Sequence, residues 1–111
     1  MEVDFEDEKL AKTCSSGKEL QREYGADNAR RIQRRLQQLQ AATVLEDLRQ
    51  APGRCHELTA DRAGQLSLDL KHPLRLVFRP GPLPAPARDD GGLDWRRVER
   101  VVVLEVTDTH E

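Results

Sequence analysis

The sequence predicts an α+β fold: a small antiparallel β-sheet with an N-terminal strand and an α-helical hairpin packed on one face. Three observations point there. Ile32, Leu36 and Leu39 recur at i, i+4 and i+7, which draws one apolar stripe along a helix. From Leu66 to Phe78 the apolar period changes to two, the spacing of half-buried strands. A last apolar run, "VVVLEV", follows a loop rich in proline and glycine. At 111 residues the chain is expected to form a single domain, 1–111, with residues 81–94 as the loop before the last strand.

In order, "EVDF" alternates Val3 and Phe5 with acids and suits a short first strand. In "SSGKELQREYG", Ser15 or Ser16 can cap a helix, and Glu19 stands three residues after Ser16, the spacing of a capping box. Leu20 and Tyr24 share a face, and Gly25 stands where a left-handed C-terminal residue belongs. Asp27 can cap the next helix, "NARRIQRRLQQLQAA", whose Arg30, Arg31, Arg34 and Arg35 lie off the apolar stripe. A short helical piece, "VLEDLRQ", ends before Pro52 and Gly53. "RCHEL" reads as a short strand and "ADRAG" as a turn. "QLSLDL" places Leu66, Leu68 and Leu70 inward and Gln65, Ser67 and Asp69 outward. After the break at "HP", "LRLVF" sets Leu74, Leu76 and Phe78 against Arg75, Val77 and Arg79. Pro80, Pro82, Pro84 and Pro86 with Gly81, Gly91 and Gly92 make the next stretch a loop expected to add nothing to the core. "VERVVVLEV" is the final strand.

The net charge of -2 conceals an asymmetry. Residues 1–8 hold five acids and no base, residues 9–80 hold 14 Lys and Arg against 8 acids, and residues 81–111 hold 4 Arg against 7 acids. A basic middle suggests a polyanion such as RNA, although charge alone points first to a solvated surface. No apolar run approaches the ~20 residues that span a bilayer, and the acidic start has neither the basic nor the apolar region of a secretory signal. No membrane partner is expected. Cys14 and Cys55, without close spacing, suit a reduced, cytoplasmic protein and small core positions. Together with the three histidines they match no standard zinc spacing, so no metal or other cofactor is expected. An aromatic fraction of 4% speaks against a stacking platform for single strands, and Trp95 reads as packing at a sheet edge.

The apolar last strand stops at Asp108, Thr109, His110 and Glu111, which raises the question of a working edge. On the expected sheet, His56, Asp61, Arg62, Arg75, Asp108 and His110 come from several strands and one turn. Histidine is a proton carrier at neutral pH, and a fixed guanidinium neutralises charge on a phosphorane. That combination suits cleavage of a phosphodiester, with His110 held near Arg75 and His56.

"PGRCHEL", the turn "DR.G", "HP.RL.F" and the terminal "D.H", with "KLAKTCSS", "REYGADNARRIQRRLQQLQAA" and "DWRRVERVVVLEVTDTHE" around them, cover nearly the whole chain and resemble the HigB-type killer proteins. These are toxins of bacterial toxin–antitoxin modules in the RelE superfamily. The resemblance implies a RelE-like fold and a metal-independent endoribonuclease. It implies cleavage of mRNA in the ribosomal A site until a helix-turn-helix antitoxin neutralises the toxin. It carries catalytic roles to His56, Arg62, Arg75, Asp108 and His110, and Lys71, His72 and Arg79 are expected as RNA-binding residues beside them. Two positions depart from active relatives: Thr59 stands where a lysine is common, and Thr109 where a tyrosine is common. Those departures leave a second expectation, a catalytically weak or inactive binding module that acts through its antitoxin complex and operon autoregulation. A gyrase-poisoning relative is a third, opposed by His110.

Overall fold

The computed structural model describes residues 1–110 and forms one five-stranded sheet with helices on one face. The strands are β1 (Glu2–Phe5), β2 (His56–Glu57), β3 (Leu66–Asp69), β4 (Arg75–Pro80) and β5 (Arg100–Thr107), in the spatial order β1-β5-β4-β3-β2. β2 to β5 pair antiparallel, as the alternation predicts, but β1 runs parallel to β5, so the sheet is mixed. The physical reason is connectivity. Short connections hold β2, β3 and β4 as antiparallel neighbours, whereas β1 is followed by a helical crossover that lets it lie along β5 in the parallel sense.

Two helices follow β1. The first, α1 (Glu8–Cys14), is a helix beyond those the sequence pattern predicts. Asp7 caps it, its Oδ1 accepting from Leu10 N at 2.7 Å. Leu10 and Cys14, four residues apart, both pack against the core. The second, α2 (Gly17–Ala41), opens on Ser16, whose Oγ accepts from Glu19 N at 3.2 Å, as the capping-box spacing predicts. It breaks at Gly25, which adopts φ 83° and ψ 163° rather than the expected left-handed cap. That region is essentially closed to residues with a Cβ. The chain doubles back there: a Cβ on Gly17 would lie 3.2 Å from Gln33 Nε2. Sixteen helical residues in a straight line would separate them by ~24 Å, so the two arms form the expected hairpin. Asp27 does not cap the second arm; it accepts from Arg31 Nε at 3.0 Å and pairs with Lys71 at 3.7 Å. Those cations hold its carboxyl below the usual carboxylate range, the Arg31 hydrogen bond most of all.

Leu20, Ile32, Leu36 and Leu39 of α2 pack with Leu66, Leu68, Leu76, Phe78, Val101 and Val103 of the sheet in one core. Leu45 and Leu48 of a 3₁₀ helix, Leu45–Gln50, close one end. The proline-rich loop does contribute, contrary to expectation: Ala87 and Leu93 bridge across it, and Leu93 packs against the core. Trp95 beyond it is buried, its Nε1 donating to Glu57 Oε2 at 3.0 Å on the β2 edge, with the Arg49 guanidinium 3.8 Å above its ring.

Candidate functional site on the helix-free face

Residues directly opposite one another in a sheet share a face. His56 pairs with Ser67, Ser67 with Val77 and Val77 with Glu105, so these four form one row across β2 to β5. Asp69, Arg75 and Thr107 form the next. Both rows alternate with core residues such as Leu66, Leu68 and Leu76, and so lie on the face away from the helices. The register of β5 depends on a bulge. Val77 pairs with Glu105 while Phe78 pairs with Val103, which leaves Leu104 as the extra residue.

His56 is half-buried, and its Nδ1 lies 3.0 Å from the backbone oxygen of Arg54. A carbonyl only accepts, so Nδ1 donates, and the tautomer this contact selects has its acceptor lone pair on Nε2. Arg54 itself sits at φ 49°, after Gly53 at φ 108°. Its Nε and Nη2 donate to Asp69 Oδ2 and Oδ1 at 2.9 and 3.3 Å, and this hydrogen bond raises the already high pKa of the guanidinium further. Arg75 Nε lies 3.5 Å from the same Oδ1, and Arg75 Nη1 donates to Thr109 Oγ1 at 3.1 Å. Asp69 is therefore shared by two arginines. From behind, its backbone oxygen accepts from Arg35 Nε at 2.8 Å.

A second grouping lies over the same face. The segment after β2 makes a 3₁₀ turn, Ala60–Arg62, and Arg62 Nη1 bridges Gln65 Oε1 and Glu105 Oε2, both at 3.1 Å. Since Glu105 belongs to β5, this segment arches over β3 and β4 and helps explain why Ser67 and Val77 are wholly buried on the helix-free face. Thr59, Asp61 and Arg62 face Asp108, Thr109 and His110 across an open cleft of about 380 Å³. His110, at φ 60°, turns back on Asp108. Its N–H donates to Oδ1 at 2.9 Å and its Nδ1 lies 3.6 Å from Oδ2. Glu111 lies outside the described residues.

The expected residues thus divide. Arg62, Asp108 and His110 share the cleft, while His56 and Arg75 flank Asp69 and Ser67 on the sheet. Arg75 Nη1 meets the buried Thr109 of the tail, and no described contact joins it to His110. Arg79 stands on the same face, four residues along β4 or ~13 Å from Arg75. Its guanidinium is occupied by the Pro80 and Gly81 carbonyls at 2.9 and 2.8 Å and by Glu6 at 3.9 Å. Lys71 turns to Asp27 of the hairpin, and His72 is exposed in the β3–β4 turn. Of the helix arginines, Arg35 is buried and so is no surface contact; Arg30 and Arg31 pair with Asp27, and Arg34 is exposed. Burial pushes the Cys14 thiol up to about 11 and the Cys55 thiol to about 12, so both stay protonated at neutral pH and behave as core residues.

Arg54 and Glu105 are not marked as site residues by any sequence pattern, nor are Asp69 and Thr109 as partners of Arg75. Gly53 before Arg54 was the available signal: glycine beside an arginine marks an unusual backbone, here a left-handed pair. No helix among the described residues is long and apolar enough to cross a membrane. No family model matches the chain, and no curated protein matches it.

Proposed function

We propose that this protein is a HigB-type toxin with a RelE-like fold, a metal-independent endoribonuclease that cuts mRNA on the ribosome and is neutralised by a helix-turn-helix antitoxin. The observation that carries the reading is His56. Its Nδ1 is committed to the Arg54 carbonyl, so Nε2 is available as a base on the face that holds Arg54, Arg75 and Asp69. In the reaction, His56 Nε2 takes the 2′-hydroxyl proton and the 2′-oxygen attacks phosphorus. Arg75 and Arg62 neutralise the phosphorane, and protonated His110, held by Asp108, supplies the proton to the leaving 5′-oxygen. The products are a 2′,3′-cyclic phosphate and a 5′-hydroxyl. The ribosome is needed because the face offers no aromatic platform to splay the RNA; the ribosome strains and presents the strand instead.

A second reading has its own observation. The Arg75 side chain is only 13% exposed, covered by Thr109 and paired with Asp69. A face closed in this way suits a non-catalytic module that acts through its antitoxin complex. Single-turnover cleavage of ribosome-bound mRNA decides between them. The toxin reading expects cleavage that survives a zinc-selective chelator at constant magnesium, no efficient cutting of naked RNA, and growth arrest on induction without a partner. Normal growth with abundant folded protein, and no cleavage, would favour the binding module.

A further inference from the structure

We infer that Glu105 and Gln65 are positioning residues for Arg62: by taking both hydrogens of its Nη1 they leave the Nε–Nη2 edge of the guanidinium fixed for one RNA phosphodiester; this rests on the endoribonuclease reading above. Nη1 donates to Gln65 Oε1 and Glu105 Oε2, both at 3.1 Å. A guanidinium carries five N–H donors, two of them on Nη1. The other three, one on Nε and two on Nη2, have no acceptor among the described residues. Nε and Nη2 form one side of the planar fork, the shape that meets two oxygens of a phosphate at once. Arg62 lines the open cleft of about 380 Å³ with Asp108, Thr109 and His110, so the uncommitted donors belong to a residue of the cleft itself.

The two acceptors come from different parts of the chain. Gln65 stands three residues after Arg62, in a turn closed by Gln65 N donating to Arg62 O at 3.0 Å, with Gly64 at φ 89°. Glu105 comes from β5, and among the described residues no other cation lies within ion-pair distance of it. Fixing matters because Asp61 and Asp108 also line the cleft. A loose guanidinium there would close on one of those carboxylates and be lost to an incoming anion. Gln65 and Glu105 stand outside the lining, and committing Nη1 to them prevents that collapse. Glu105 also carries a charge that repels an anion. Two hydrogen bonds of ~3 Å with a guanidinium between them set its carboxylate about 7 Å from the phosphate. In water that repulsion weakens binding by less than about threefold, and salt reduces it further. Loss of a charge-assisted hydrogen bond from the fork weakens binding by about tenfold or more. The hold outweighs the repulsion, and the sign of a Glu105 substitution tells the two apart.

The test uses the full chain, a hexauridylate carrying 2′-O-methyl groups, which cannot be cleaved, and single-turnover cleavage of ribosome-bound mRNA. Glu105→Ala should weaken oligonucleotide binding by about tenfold and slow cleavage by at least as much, although it removes a negative charge. Glu105→Gln keeps an acceptor for Nη1 and should retain most of both. Gln65→Ala should act in the same direction as Glu105→Ala. In an Arg62→Ala background, Glu105→Ala should weaken neither binding nor cleavage, because it acts through that guanidinium. The Glu105 side chain is 49% exposed, so losing the ion pair should lower the melting temperature by no more than about 4 °C. A loss caused by misfolding would persist in the Arg62→Ala background. Unchanged or tighter binding in Glu105→Ala would overturn the proposal, and so would an equal loss with and without Arg62. A wild-type protein that binds no oligonucleotide would overturn it too. If wild type cuts no ribosome-bound mRNA while Glu105→Ala loses affinity only where Arg62 is present, the catalytic reading fails and the positioning stands. If wild type cuts and Glu105→Ala cuts as fast, the positioning alone fails.

Discussion

Arg35 is where the helical hairpin grips the candidate site, and replacing it should damage both fold and face. It is 7% exposed. Its Nε donates to Asp69 O and its Nη1 to Gln38 Oε1, both at 2.8 Å, and a Cβ on Gly53 would lie 2.9 Å from its Nε. Burial pulls its pKa down, with Arg34 and Arg31 adding to the effect and Asp69 opposing it, yet a guanidinium stays charged in a protein. Arg35→Ala loses a charge-assisted hydrogen bond, about 1.5–3 kcal/mol, and a buried aliphatic stem, about 2 kcal/mol. Release from burying a charge offsets part of that, leaving a net loss of about 3 kcal/mol. Arg35→Met keeps the stem and should lose about half as much. For 111 residues the unfolding entropy is about 0.23 kcal/mol/K, so the melting temperature should fall by about 13 °C for alanine and about 6 °C for methionine. Calorimetry or far-UV circular dichroism reads this directly. With the Asp69 carbonyl released, its carboxylate should hold Arg54 and Arg75 less firmly, and RNA affinity measured well below the melting point should fall too. An Arg35→Ala protein that melts within about 2 °C of wild type would refute the reasoning.

Four other outcomes are expected. Ser67→Ala removes a buried hydroxyl that has no partner among the described residues and should stabilise the fold by about 1 kcal/mol, read as a rise in the urea midpoint. Gly25→Ala places a Cβ at φ 83° and ψ 163° and should cost about 1–3 kcal/mol in the same titration. The thiols set an alkaline limit. With Cys55 raised to about 12 and Cys14 to about 11, the folded state holds protons that the unfolded state releases from about pH 9. Stability should therefore decline above that pH, by up to about 1.4 kcal/mol per unit for the more deeply buried Cys55 and by less for the half-exposed Cys14, and Cys55→Ala should remove most of the slope. Arg75→Ala and His110→Ala should each lower single-turnover cleavage by about a hundredfold or more; wild-type rates in His110→Ala would reduce the tail to a structural end.

The local patterns foretold the local elements. The leucine alternation gave β3 and β4 and their buried faces, and Ser16 with Glu19 gave the start of α2. What failed locally failed for identifiable reasons. Asp7 with Leu10 and Cys14 does carry a helix signal, but α1 has only 7 residues, too few for a clear period. Arg35 stands three residues after Ile32 and four before Leu39, and so on the margin of the apolar stripe. Its charge suggested the wet face, while its long apolar stem allowed burial once a carbonyl met the guanidinium.

The site was less legible because its defining contacts are not local. Arg54 meets Asp69 across 15 positions, Arg75 meets Thr109 across 34, and Arg62 meets Glu105 across 43. The largest hidden factor is the bulge in β5. Strict alternation from Val101 and Val103 would send Glu105 and Thr107 into the core. With Leu104 as the extra residue, the phase inverts: Val106 packs inward, and Glu105 and Thr107 emerge on the helix-free face. Only then can Arg62 reach Glu105, Thr107 lie opposite Arg75, and the chain two residues later bring Thr109 onto that guanidinium. A one-residue irregularity, which no periodic reading detects, thus decides which face of the sheet the tail serves.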